Sequence, residues 1–250
     1  MIGAAVFCFN EQENIESTVQ ALIRVQVDHP ELAEICLVDD CSTDETYARM
    51  TDLAEMHPCI TVIRHESNLG ASHAVASAAA ATTCGNVLIV PGDYTYESGA
   101  IAAMIDEFTR AQSRNCLVLG LRSRTRVKRS WLREQAAVLA RASLLWTNVR
   151  RGVLPDYGFI LTPTWVIRAV PHEVRGYGQA IGLLGVAMQC RLNYVTTPVE
   201  QVPDSHSRGS SITADKIMDV LVAHRALWVH RKETRAIGRR ESLVGTSRFD

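Results

Sequence analysis

Over the first 120 residues, apolar runs of strand length alternate with stretches of helical spacing. The runs are IGAAVFCF (2–9), EICLVDD (34–40), ITVIRH (60–65), NVLIVPGD (86–93) and CLVLGLR (116–122). Between the first two, Ile15, Val19, Leu22 and Ile23 recur as one face of a helix. Thr43, followed by Asp44 and Glu45, marks the start of a second helix, because Thr caps and acids suit the positive helix end. An alanine-rich run at 71–83 predicts a third helix and 97–111 a fourth. The strands are nearly continuously apolar, which implies a sheet covered on both faces, and the βα alternation implies parallel strands. In such sheets ligands gather beyond the carboxyl ends of the strands. Here those ends carry Asn10 and Glu11, Asp39 and Asp40, Asn68, and Asp93.

The pattern changes after residue 121. Residues 122–133 hold six basic side chains (Arg122, Arg124, Arg126, Lys128, Arg129, Arg133) and no acid. A long helix is expected over 131–149, a short strand or loop at 155–163 (PDYGFILTP), a helix near 178–190 and a strand at 192–197 (LNYVTT). The segment 202–211 reads as a polar loop. An amphipathic helix over 213–235 carries Ile217, Val220, Leu221, Leu227 and Trp228, and a polar, frayed tail is expected from about 236 to 250. No repeat of 20–50 residues is visible. The organisation predicted is one α/β domain, 1–235, with halves at 1–120 and 121–235.

Charge sharpens this division. Residues 1–110 hold 17 acids and 4 bases, whereas residues 111–250 hold 10 acids and 22 bases, so a formal charge of −1 conceals two opposite halves. A basic half suits nucleic acid, a membrane surface or a phosphorylated small molecule. It lacks a helix-turn-helix or RNP-type signature, so no nucleic-acid partner is expected. Seven cysteines without a Cys-x-x-Cys argue against a disulfide framework or a four-ligand zinc site and suit a reducing cytoplasm. The N-terminus, MIGAAVFCFN, has no basic region ahead of its apolar run, and no stretch reaches the ~18 apolar residues of a membrane span. A cytoplasmic protein is expected, and a peripheral membrane contact stays compatible with this.

Three motifs carry the chemistry. VDDCSTD (38–44) puts two adjacent carboxylates at a strand end, where each needs a donor or a cation. NLGASHA (68–74) sets Asn68 and Gly70 at a helix start, and PGDYTY (91–96) sets Asp93 just past the fourth strand. Taken singly, each also reads as an ordinary turn or helix cap. Together, from VFCFNEQENI through LVDDCSTDET and RHESNLGASHA to LIVPGDYTYES, they resemble the family 2 glycosyltransferases of the GT-A fold, in the family's order and spacing. DYGF (156–159) and SRGSS (207–211) continue the likeness less specifically. The nearest branch is that of the polyprenyl-phosphate (dolichol-phosphate-type) sugar synthases and their soluble relatives.

The resemblance implies a mostly parallel central sheet flanked by helices and an inverting transfer of a sugar from a nucleotide-diphosphate donor, of UDP or GDP type. By motif position, Phe9, Asn10, Glu11, Asp39 and Asp40 contact the donor nucleotide, and Asn68 and Gly70 line its ribose or sugar side. This makes 1–120 the donor half and 121–235 the acceptor half. Asp93 matches the second aspartate of the family's Asp-x-Asp motif and is assigned a catalytic and metal-binding role, with Mg²⁺ or Mn²⁺ as cofactor. Pro91 stands where the first aspartate belongs. Magnesium takes few protein ligands beside phosphates and water, so a single carboxylate is compatible.

A second departure concerns the base. GYGQAIGLL (176–184) has no acid where many relatives carry one, with Gln179 at that position. Asp156 is the first candidate for a base or acceptor-binding acid, followed by Asp204 and His206. A phosphate acceptor is already anionic and needs none, which favours a lipid-phosphate over a small-molecule hydroxyl acceptor. Arg122, Arg126, Lys128 and Arg129 suit the leaving diphosphate or an acceptor phosphate, with Arg208, Ser210 and Ser211 beside them. A solvated basic loop explains the same run. Three alternatives stand: a polyprenyl-phosphate sugar synthase, a non-catalytic nucleotide-sugar-binding protein and a nucleotidyltransferase. No dinucleotide fingerprint, P-loop or Gly-x-Ser-x-Gly elbow is present.

Overall fold

A computed structural model of the 250-residue chain describes residues 1–93, 99–111, 115–122, 157–200 and 214–246. Seven strands form one sheet: β1 (Ile2–Cys8), β2 (Leu32–Asp39), β3 (Ile60–Arg64), β4 (Asn86–Pro91), β5 (Cys116–Arg122), β6 (Tyr157–Pro163) and β7 (Asn193–Val199), in the order β3-β2-β1-β4-β6-β5-β7. The pairs β1–β2, β2–β3, β1–β4 and β5–β7 are parallel, and β6 runs antiparallel between β4 and β5. All strands but β6 therefore point one way. This is the mostly parallel, helix-flanked architecture expected, and residues 157–163 of the segment expected as a short strand or loop form its reversed strand.

Eight α-helices are described: α1 (Ile15–Asp28), α2 (Thr46–Met56), α3 (Ala71–Ala81), α4 (Ala100–Arg110), α5 (Thr164–Arg168), α6 (Gln179–Gln189), α7 (Ala214–Val229) and α8 (Arg231–Thr246). Alternation along each strand sends its side chains to two separate cores. Ala4, Val6, Ile35 and Leu37 meet Ile15, Val19 and Leu22 of α1, Met50 of α2, and Ile101, Met104 and Ile105 of α4. Ala5, Cys36, Val38 and Ile89 meet α3, α5, α6 and α7 on the other face. Small residues let α3 lie close to the sheet, with Ala74, Val75, Ala78 and Ala79 buried.

Several boundaries differ from those read off the sequence. α2 starts at Thr46, three residues after Thr43, because Asp44 caps its first turn: Oδ1 accepts from Thr46 N at 2.9 Å and Thr46 Oγ1 at 2.5 Å. α3 stops at Ala81, two residues before 83, because Thr82 and Thr83 turn to donate to Glu34 of β2. The helix expected over 213–235 is two helices that divide at His230. The frayed tail from 236 is corrected: residues 236–246 belong to α8. Thr234 on α8 is buried, and Gly238 comes so close to Cys190 that a Cβ there would lie 2.5 Å from its Sγ. Tertiary contact holds a segment whose polar sequence alone gave no reason for order. The long helix expected over 131–149 and the polar loop at 202–211 lie outside the described residues.

Candidate active site

The carboxyl ends of β1, β2 and β4 lie side by side along one edge of the sheet, and the loops beyond them form the candidate crevice. The chain leaves β1 through Asn10, whose φ of 56° is a left-handed conformation that Asn tolerates better than most residues. This turn is stitched to the loop after β2. Asn10 N donates to Ser42 Oγ (2.9 Å), Thr43 N donates to Asn10 Oδ1 (2.8 Å), and Glu11 N donates to Thr46 Oγ1 (2.8 Å). Glu11 Oε2 accepts from Asn14 Nδ2 at 2.7 Å, at the start of α1. Phe9 is exposed at the lip.

Asp39 and Asp40 end β2 in different environments. Asp39 has no exposed surface. Its Oδ1 accepts from Ser42 N at 3.1 Å. Its Oδ2 is buried without a hydrogen-bond partner among the described residues, while Arg64 Nε stands 3.2 Å away as an ion-pair partner. Arg64, at the end of β3, also lies over the Tyr47 ring, 4.3 Å from its centroid. Asp40 is engaged on both oxygens: Oδ1 accepts from Leu69 N (2.9 Å) and lies 2.8 Å from His65 Nδ1, and Oδ2 accepts from Gly70 N (2.6 Å). His65 Nε2 continues to Ser77 Oγ at 2.8 Å. These contacts take three of the carboxylate acceptor sites of Asp40 and tie the end of β2 to the Leu69–Gly70 backbone. Asn68 itself is exposed at the rim.

Asp93 is half-buried two residues beyond β4. Its turn is anchored through the backbone: Gly92 N donates to Phe7 O (3.0 Å), and Thr18 Oγ1 of α1 donates to Gly92 O (2.8 Å). A Cβ on Gly92 would sit 2.5 Å from Cys8 Sγ, so only glycine lets the chain turn here against β1. Burial pushes the Cys8 thiol well above its ordinary range, and the charges of Glu11, Asp39, Asp93 and Asp44 push it further. Four carboxylates from three strand ends thus act on one buried atom. Such a concentration of negative charge favours a cation or a polarised donor group in the crevice. Asp44 itself ionises below the usual carboxylate range: burial works against this, but hydrogen bonds from Thr46 and Gln12 outweigh it.

The far rim brings the C-terminal half to the same end. Gly70 starts α3 at φ 85°, where a side chain would be strained. Ser72 Oγ donates to Gly176 O at 3.4 Å, joining α3 to the 3₁₀ turn Gly176–Gly178. Gly176 and Gly178 admit α7, for Cβ atoms on them would lie 2.5 Å from Asp219 Oδ2 and 2.7 Å from Asp219 O. Gln179 opens α6, and its Nε2 is buried without a partner among the described residues. Arg122 closes β5 opposite Val199, at the same end of the sheet as Asp93. Arg126, Lys128, Arg129, Asp156, Arg208 and Ser210, with Asp204, His206 and Ser211, lie outside the described residues. Sequence reasoning missed Ser42, Tyr47, Arg64 and His65. The pair Arg64–His65, directly before the Asn68–Gly70 motif, was the available signal.

The sequence model described as glycosyl transferase family 2 matches residues 4–172. This chain belongs to glycosyl transferase family 2. The family 2 chain is a nucleotide-sugar glycosyltransferase with the GT-A fold. No curated protein matches it in sequence. Among solved structures it is similar to glucosyl-3-phosphoglycerate synthase from Mycobacterium tuberculosis. The complex of that enzyme with phosphoglyceric acid shares 20% identity over 91% of this chain and 79% of that one, at a TM-score of 0.64. Its complex with Mn²⁺ and uridine-diphosphate-glucose shares 19% over 90% and 78%, at 0.65. At this identity the likeness establishes the fold. The residues expected from the sequence to meet the donor, at 9–11, 39–40, 68–70 and 93, all fall within the matched span. No helix among the described residues is long and apolar enough to cross a membrane.

Proposed function

We propose that the chain moves a glycosyl group from a UDP-type sugar to a phosphorylated acceptor, with residues 1–120 serving the donor and the basic C-terminal half serving acceptor and leaving group. The observation that carries this reading is the convergence of Glu11, Asp39, Asp44 and Asp93 around the β1 end. In a family 2 enzyme, that is the place for a cation-bearing nucleotide diphosphate. The similar solved structures, which hold uridine-diphosphate-glucose, Mn²⁺ and phosphoglyceric acid, support the choice of donor, metal and acceptor class.

The donor set fits a divalent ion of limited protein ligation. Among the described residues no three His, Cys, Asp or Glu side chains converge as a cage, and Pro91 replaces one aspartate of the family motif. Asp93 would hold the ion, with diphosphate oxygens and water completing its shell. When bound, the metal neutralises charge developing on the leaving diphosphate. Asn10, Ser42 and Thr46 keep the nucleotide side of the crevice in one geometry, and Asp40 fixes the Gly70 backbone against the sugar side. Asp39 Oδ2 is the acceptor for a donor-base N–H, reached when Arg64 gives it up. The acceptor oxygen forms the new bond to the anomeric carbon as the bond to the diphosphate breaks, and the electron pair leaves with the nucleotide. A phosphate acceptor brings no proton to remove. For a hydroxyl acceptor, Asp156 takes the proton. Arg122, Arg126, Lys128, Arg129, Arg208 and Ser210 are assigned to the two phosphate groups. The family resemblance adds inversion at the anomeric carbon, which the anomeric proton coupling of the product measures directly.

Thermal stabilisation by UDP, GDP, dTDP and CDP, each with Mn²⁺, Mg²⁺ or EDTA, tests the donor half. Ligand at 100 times its dissociation constant adds about 2.7 kcal/mol. UDP is expected to stabilise selectively and to lose its effect in EDTA. Transfer from UDP-glucose to phosphoglycerate, to a short prenyl phosphate and to an unphosphorylated alcohol then tests the acceptor. Exclusive use of the alcohol overturns the phosphate assignment. Tight donor binding with neither transfer nor donor hydrolysis overturns catalysis, and diphosphate release from a nucleoside triphosphate would mark a nucleotidyltransferase.

A further inference from the structure

A groove of about 930 Å³ lies between the α6–β7 corner and helix α8. It is remote from the donor crevice. β7 runs parallel to β5, β5 antiparallel to β6, and β6 antiparallel to β4, so Asn193 and Tyr194 begin β7 at the sheet end opposite Asp93. Its volume falls within the range of small-molecule pockets. Arg191 contributes from the corner, Arg235 and Arg239 from one face of α8, and among the described residues no carboxylate lines the groove. Arg235 and Arg239 are one helical turn apart, where like charges repel, and Arg191 adds a third guanidinium. An anion relieves that repulsion through charge-assisted, forked hydrogen bonds. Met188, Leu192 and the ring of Tyr194 add an apolar wall, and Tyr194 stays 44% exposed.

The groove is built by tertiary structure. Gly238 lets α8 press on Cys190, whose Sγ lies 3.3 Å from Thr234 O. Gln189 is pinned by its Nε2 donating to Leu227 O at 3.0 Å, while its Oε1 is buried without a partner among the described residues. Arg191 adopts φ 58°, a conformation that few residues other than glycine take, in the turn that brings it to the groove.

We propose that this groove is a second ligand site, separate from the donor crevice, that takes a phosphorylated small molecule of nucleotide size. The three arginines hold its phosphate, Tyr194, Leu192 and Met188 seat its apolar or planar part, and Gln189 Oε1 accepts from one of its donors. The proposal is independent of the sugar donor and acceptor assigned to the crevice.

Inorganic diphosphate, titrated in EDTA at constant ionic strength and followed by calorimetry, tests it in three proteins: the wild type, the triple variant R191A/R235A/R239A and the crevice variant D93A. The wild type and D93A are expected to bind with similar affinity. The triple variant should lose about tenfold or more, as expected for removal of charge-assisted bonds, while keeping its melting temperature and its response to UDP with Mn²⁺. Equal binding by the triple variant overturns the proposal. So does loss of self-association in that variant, which would make the groove a contact between copies. Arginine-dependent sedimentation with phosphatidylglycerol vesicles without saturable diphosphate binding overturns it in favour of a membrane surface.

Discussion

The β2 and β4 strand ends share the crevice but are built in opposite ways. At β2, Asp40 spends both oxygens on Leu69 N, Gly70 N and His65, and Asp39 is sealed beneath Arg64. At β4, the turn is held through main-chain groups, Gly92 N to Phe7 O and Thr18 Oγ1 to Gly92 O, and Asp93 follows as a half-buried side chain. The first end turns its charge inward and fixes a loop. The second fixes, through its backbone, the turn that carries the half-buried Asp93. Carboxylates that look equivalent in sequence can therefore do different work. A buried carboxylate engaged on both oxygens holds its neighbours in place, because removing it strands several donors.

The largest effect should come from Asp93→Ala, which is expected to cut transfer by about 10²–10³ or more, the scale of lost electrostatic stabilisation. Its urea midpoint should stay near the wild type. Near-normal turnover would remove Asp93 from its assigned role. Asp40→Ala should reverse the pattern by stranding the Leu69 and Gly70 N–H groups, with a loss of about 2–4 kcal/mol seen as a lower urea midpoint at unchanged slope. Unaltered stability would show that the β2 end is no scaffold. Gly176→Ala places a Cβ against Asp219 Oδ2 at φ 45°. It should cost about 1–3 kcal/mol and loosen the far rim, readable as faster amide exchange in α7.

Acidification sharpens the contrast more gently. Asp44 is held below its ordinary value by bonds from Thr46 and Gln12, and Glu34 by bonds from Thr82 and Thr83, although burial opposes both shifts. A folded-state value below the unfolded one gives stability that is complete above about pH 4–4.5. It is lost as the pH falls through the folded values. The melting temperature should therefore decline below that range, and Asp44→Asn should flatten the decline. A variant that melts in parallel with the wild type from pH 5 to 3 would contradict the Asp44 contribution. The smallest effect concerns Cys8. Its burial and four acidic neighbours keep the thiol neutral, so it should resist alkylation at pH 8 while half-buried Cys41 reacts.

The sheet was legible because strand runs such as NVLIVP at 86–91 are apolar on both faces, a local property of the chain. The same holds for the crevice motifs, since a parallel βα unit delivers the residue after each strand to one edge. What the sequence concealed were partnerships across long separations. Asp40 with Gly70 and Arg64 with Asp39 join different βα units, and neither leaves a local pattern. The reversed direction of β6 was equally hidden, because a short apolar strand reads the same in either direction.

By itself, then, the sequence determined the α/β class, the order of strands and helices along the first half, and the family. These follow from periodicity and from motifs local in the chain. Tertiary structure alone decided that Asp40 is tied to the Gly70 loop, that Gly176 and Gly178 bring α7 to the rim, and that residues 236–246 form an ordered helix against Cys190. Burial and hydrogen-bond saturation depend on which distant segments meet, and a carboxylate's work is set by the donors those segments bring to it.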